Sequence, residues 1–164
     1  MEPIIHLFLP AIVLLAIYPN IPKKYVLGLA PLAVLADFDL FVGGWHRLLF
    51  HNLFFVILVA LLVYALWNKR AFFIALYYTL SHLILDFAYP GSAWLYPLVQ
   101  KTFYVEASVL KGQEFFFNFW VGSLSFTEFS QATQWVYSTW FTTLGFILVS
   151  LIFILIISKL GRRS

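Results

Sequence analysis

Long apolar runs alternate with short polar breaks along the whole chain. The runs fall at about 3–19, 25–42, 50–67, 71–89 and 136–158, each close to the roughly 20 apolar residues that carry a helix across about 30 Å of hydrocarbon. Turn residues separate them: Tyr18-Pro19-Asn20-Ile21-Pro22, Gly43-Gly44 and Pro90-Gly91, where proline removes a backbone donor and glycine frees the backbone. The pattern predicts an all-α fold, a polytopic membrane bundle of about five transmembrane helices forming one domain over 1–164. Between the fourth and fifth runs, residues 90–135 are rich in aromatics, including Trp94, Tyr96, Phe103, Tyr104 and Phe115-Phe116-Phe117-Asn118-Phe119-Trp120. Aromatic rings favour the headgroup level, so this stretch is expected to lie on the outer face as a helix or hairpin, or to act as a substrate lid.

Composition agrees with the pattern. Of 164 residues, 63% are hydrophobic and 10% charged, against about 25% charged in soluble domains. Lys23-Lys24, Lys69-Arg70 and Lys159 with Arg162-Arg163 lie at alternate ends of successive runs. Basic residues in short loops stay cytoplasmic, so the expected topology has the N-terminus outside and the C-terminus inside an integral cell-membrane protein. The net charge of +3 is thereby read as topology, and no nucleic-acid partner is expected. Met1-Glu2-Pro3 offers no basic region ahead of the first run, so that run is read as a retained helix. There is no cysteine, which excludes disulfides and thiolate metal sites.

The remaining ionisable groups carry the chemistry. On this topology His6, Asp37, Asp39, His46, His51, His82 and Asp86 all fall at the outer end, and they are every histidine and aspartate in the chain. Ionisable groups near a membrane interior are costly and usually face a cavity, a partner or an ion. His82 and Asp86 are four apart, on one helix face within about 6 Å, so that one ion can take both, or Asp86 simply accepts the histidine N–H. Asp37 and Asp39, at i and i+2, lie on opposite sides of a regular helix and serve one site only where the helix is ending. In a competing reading one of them caps a turn and the other pairs with Arg47. Imidazole with carboxylate suits Zn²⁺, Mn²⁺ or Fe²⁺, zinc being favoured for a redox-neutral hydrolase. The number of candidates allows two ions sharing a carboxylate.

Taken together, His6, Ala36-Asp37-Phe38-Asp39, Trp45-His46-Arg47 with His51, and Ser81-His82-Leu83-Ile84-Leu85-Asp86 followed by Pro90-Gly91 and Tyr96-Pro97 resemble the YdjM family of membrane-bound, predicted metal-dependent hydrolases. The order of ligands is in turn similar to zinc-dependent phospholipase C and the S1/P1 nucleases. That likeness implies His6 as an early ligand, Asp39 or Asp37 as the aspartate ligand, His51 as the next histidine, and His82 with Asp86, the latter bridging two ions. No histidine follows His82, so the downstream ligands of a third zinc are missing.

The sequence therefore points to a membrane-embedded metal-dependent hydrolase of a phospholipid or lipid-linked (phospho)ester at the outer leaflet. His6, Asp37, Asp39, His51, His82 and Asp86 are the candidate ligands, His46 a further ligand or general base, and Arg47 a clamp for a phosphate or carboxylate. Its rivals are a proton or metal-ion transporter using the same cluster, which needs polar groups continuing to the cytoplasmic half, and a noncatalytic membrane protein with a structural metal.

Overall fold

The computed structural model describes residues 3–42, 47–88, 90–111 and 115–133. Helix α1 spans Pro3–Ile17 and stops ahead of Tyr18-Pro19. Helix α2 covers only Lys23–Leu29 and passes directly into a 3₁₀ helix, Ala30–Val42. Helix α3, Leu53–Leu66, starts at Asn52, whose side chain accepts from the Phe55 amide. Helix α4, Lys69–Leu85, starts at Asn68, which accepts from the amides of Arg70 and Ala71. Each asparagine satisfies amides that have no acceptor within their own helix.

The expected all-α bundle of five membrane-spanning helices is corrected here. The second run divides into a seven-residue α-helix and a 3₁₀ segment. The Asn52 cap starts the third helix at Leu53, the fourth ends at Leu85, and even α4, with 17 residues, extends only about 26 Å at 1.5 Å per residue. None of the described helices is both long and apolar enough to cross a membrane. Strand β1, Lys101–Lys111, pairs antiparallel with β2, Phe115–Ser125, so the fold mixes helices with a two-stranded hairpin. The fifth expected run, 136–158, lies outside the described residues.

Helix α4 is the hub, packing against α3, the 3₁₀ helix, α2 and α1. Small side chains let the backbones approach: Ala71 and Ala75 of α4 share one buried cluster with Ala30 and Ala33 and with Leu7, Leu14, Val26 and Ile74. Adjacent tyrosines fix the rotation of α4, because Tyr78 Oη donates to the Val26 carbonyl at 2.9 Å and Tyr77 Oη to the Pro10 carbonyl at 2.9 Å. The outer faces are as apolar as the core. Ile5, Phe8 and Ile12 of α1 and Ile57, Leu61 and Leu62 of α3 are all exposed, a surface suited to lipid or to a covering partner.

The hairpin braces the segment after α4. The amide of Val105 donates to the Phe87 carbonyl, and Ser92 and Phe103 exchange backbone hydrogen bonds. Gly91, at φ +85°, is required at this approach, since a Cβ there would collide with the Phe103 carbonyl. A second small core, Leu48, Ala93 and Phe129, joins this segment to α5, Phe126–Thr133. Ser125 and Glu128 close the start of α5 reciprocally: the Ser125 amide and hydroxyl donate to Glu128 Oε2 at 2.8 and 2.7 Å, and the Glu128 amide donates to Ser125 Oγ. The hydroxyl, with the amide, holds the Glu128 carboxyl below its usual range.

Candidate metal centre

Four elements meet at the C-terminal end of α4. His82 lies in its last turn and Asp86 just beyond it, Asp37 and Asp39 are on the 3₁₀ helix, His51 immediately precedes the Asn52 cap of α3, and His6 is on α1. All six are buried.

The two acids of the 3₁₀ helix address opposite edges of one imidazole. A 3₁₀ helix turns about 120° per residue, against about 100° for an α-helix, which brings positions i and i+2 closer in direction than the sequence expectation allowed. Asp39 Oδ2 accepts from His51 Nδ1 at 3.0 Å and lies 3.3 Å from the Phe50 amide. Asp37 Oδ1 lies 3.6 Å from His51 Nε2 and 3.4 Å from His82 Nε2.

The protons follow from the partners. His82 Nδ1 faces the Ala33 carbonyl at 2.6 Å, and a carbonyl only accepts, so Nδ1 carries a hydrogen. Asp39 fixes His51 Nδ1 in the same way. With both Nδ1 atoms donating, both Nε2 atoms are left for whatever lies between the rings, and they face each other at 2.9 Å. Two neutral rings in these tautomers aim lone pairs at one another there, an arrangement relieved either by one shared proton, as an N–H···N hydrogen bond, or by a cation between them. Asp86 Oδ2 closes the group, 3.0 Å from His51 Nε2 and 3.4 Å from His82 Nε2. One ligand atom from each of Asp37, His51, His82 and Asp86 lies within 4.8 Å of all the others.

Charge leads to the same place. Asp37, Asp39, Asp86 and Arg47 are buried together, and with the neighbouring imidazoles neutral, three carboxylates against one guanidinium leave an excess of two negative charges. Buried charge persists only when compensated. One divalent cation between the rings would balance that excess and take both facing lone pairs. Asp37 Oδ2 is buried without a hydrogen-bond partner, a carboxylate oxygen with a lone pair to offer a cation. Two imidazole nitrogens with carboxylate oxygens, and no sulfur, fit Zn²⁺ and also suit Mn²⁺ or Fe²⁺.

The other expected residues have distinct places. His6 Nε2 lies 3.2 Å from Asp86 Oδ1, its ring 4.4 Å from that of His82; it touches the group of four through Asp86. Asp39 stands behind His51. Arg47, buried at a left-handed φ of 64°, donates from Nη2 to Asp86 Oδ1 at 3.2 Å and from Nη1 to the Gly91 carbonyl. The guanidinium thus pairs with Asp86, whereas the sequence offered it Asp37 or Asp39. His46 lies outside the described residues. The Ala33 carbonyl, which orients His82, carries no side-chain signal through which the sequence could reveal it.

Fold and site together define a protein of helices with a two-stranded hairpin and a buried His₂Asp₂ group that could hold a divalent cation. The family model described as YdjM inner membrane protein matches residues 1–160, and the chain belongs to that family. Neither a curated protein nor a solved structure matches it. The family places the chain among membrane proteins; the more distant likeness to phospholipase C is supported by none of these findings.

Proposed function

We propose that this chain is a metal-dependent hydrolase whose ion, zinc first among the candidates, is held by Asp37, His51, His82 and Asp86. The observation that carries the reading is the pair of Nε2 atoms at 2.9 Å, each with its Nδ1 already engaged, beside two buried carboxylates. A bound divalent ion supplies Lewis acidity and a water that ionises near neutral pH.

The chain's own residues prepare that chemistry. Asp39 and the Ala33 carbonyl fix the imidazole tautomers, which preserves two neutral nitrogen donors and their aim. Arg47 and His6 both bear on Asp86 Oδ1, leaving Oδ2 turned toward the histidines. His6 Nε2, 3.2 Å from Asp86 Oδ1, helps to hold that carboxylate in place. A lipid or lipid-linked phosphoester is the substrate class we favour, because the family resides in the membrane and the outer faces of α1 and α3 are apolar.

The test is elemental analysis of the purified full-length chain with turnover on a panel of lipid phosphoesters, for the wild type and Asp86→Ala. The expected result is about one zinc per wild-type chain with turnover, and loss of both in the variant. A protein that takes up no metal when supplied with it overturns the reading. Bound metal without turnover on any ester makes the centre structural, and metal flux in proteoliposomes makes the protein a carrier.

A further inference from the structure

At the opposite end of α4, about 18 Å along the axis from His82, the ends of α1, α2 and α4 enclose a groove of about 810 Å³. Its size is that of a small-molecule site, roughly 300–1,000 Å³. The walls are mainly apolar, with Leu14, Ile17, Pro22, Phe73 and Ile74 among them, and one cation, Arg70, stands on the lining. Tyr25, also on the lining, is tied to α4 by the hydrogen bond from Asn68 Nδ2 to its hydroxyl at 2.9 Å, so the groove is built by tertiary contacts.

The surrounding charge is of one sign. Lys23 and Lys24 lie between the lining residues Pro22 and Tyr25, Lys69 adjoins Arg70, and all four cations are exposed. None of α1, α2, α3 and α4 carries an acidic residue. An apolar slot with a cationic rim matches a molecule with a hydrocarbon tail and an anionic head. The chain's own apolar stretch 136–158 is a poorer match, since it is followed by Lys159, Arg162 and Arg163, which would be repelled by the rim.

We infer that this groove binds one anionic phospholipid, its acyl chain along Leu14, Ile17 and Phe73 and its phosphate at Arg70. The inference stands independently of the metal centre.

Native mass spectrometry of the full-length chain in detergent tests it, using phosphatidylglycerol and phosphatidylcholine of identical acyl chains. Phosphatidylglycerol should be retained at least fivefold more than phosphatidylcholine. Arg70→Gln should abolish that preference, and Ile17→Trp, which fills the groove from an exposed position, should lower retention of both lipids. Equal retention by the wild type, or a preference that survives Arg70→Gln, overturns the inference, as does displacement of phosphatidylglycerol by inorganic phosphate at equal concentration. A photoreactive residue at Tyr18 should gain the mass of a phospholipid; crosslinking to residues 134–164 instead overturns it.

Discussion

The two ends of α4 handle charge in opposite ways. At the end bearing His82 and Asp86, three carboxylates, one guanidinium and the imidazoles are buried together, Asp86 against Arg47 and Asp39 against His51. At the Asn68 end, four cations stand exposed around an apolar groove. Charge inside the protein is held by specific partners whose removal strands another charge, whereas charge at the surface is held by solvent and its removal strands nothing. Substitutions at the two ends should therefore differ in size by far more than the chemistry of the deleted groups suggests.

The largest effect is expected at Asp86. Asp86→Ala leaves Arg47 buried beside an empty space, and breaking a buried pair in this way costs about 3–5 kcal/mol. Unfolding of the purified chain, followed in denaturant, should show that loss; a change below about 1 kcal/mol would mean that Asp86 behaves as a surface charge and the contrast fails. Next comes Asp39, whose Oδ2 accepts from His51 Nδ1 on the side away from the proposed ion. Asp39→Ala should weaken metal binding by about 10–100-fold, read by competition with a chromogenic chelator, with full occupancy recovered at higher metal concentration. Irrecoverable loss would instead make Asp39 a ligand.

The third comparison sets cap against cap. Asn52→Ala and Asn68→Ala each remove a helix N-cap, costing about 1 kcal/mol, but Asn52 immediately follows His51. Only Asn52→Ala should also lower metal affinity, which parallel chelator titrations of the two variants would check. The smallest effect is expected at Arg70, where Arg70→Ala should change stability by no more than about 0.5 kcal/mol while altering lipid retention. A larger loss in denaturant would show that the rim is structural.

How much of this could be read from the sequence depends on the kind of interaction. His82 and Asp86 were legible as a pair because a four-residue spacing has one meaning on a helix. Asp37 and Asp39 were harder: on an α-helix they diverge, and nothing in Ala30–Val42 announces a 3₁₀ helix, whose geometry is settled by packing against α4. The same packing limited the fold reading. Apolar runs of spanning length were visible, but the start of α3 at the Asn52 cap, the end of α4 at Leu85 and the break after Leu29 depend on which backbone groups find partners in three dimensions. The aromatic stretch after Pro90 was expected as a helix or hairpin on a membrane surface; the register of β1 with β2 shows a hairpin, and its tie to Phe87 and Ser92 involves only backbone atoms. Arg47 was correctly suspected of needing a partner, yet which acid it meets is decided by the turn at Gly91 and Ala93.

The backbone of Arg47 has a consequence for how the protein evolves. A residue with a side chain at a φ of 64° sits in a conformation costing on the order of 1–3 kcal/mol, and glycine would adopt it freely. Glycine would also remove the guanidinium and leave Asp86 buried without its cation, a loss of about 3–5 kcal/mol that exceeds the relief, so selection for heat resistance and selection for an occupied centre should both retain arginine at position 47, and the strained backbone is the cost of seating that one side chain.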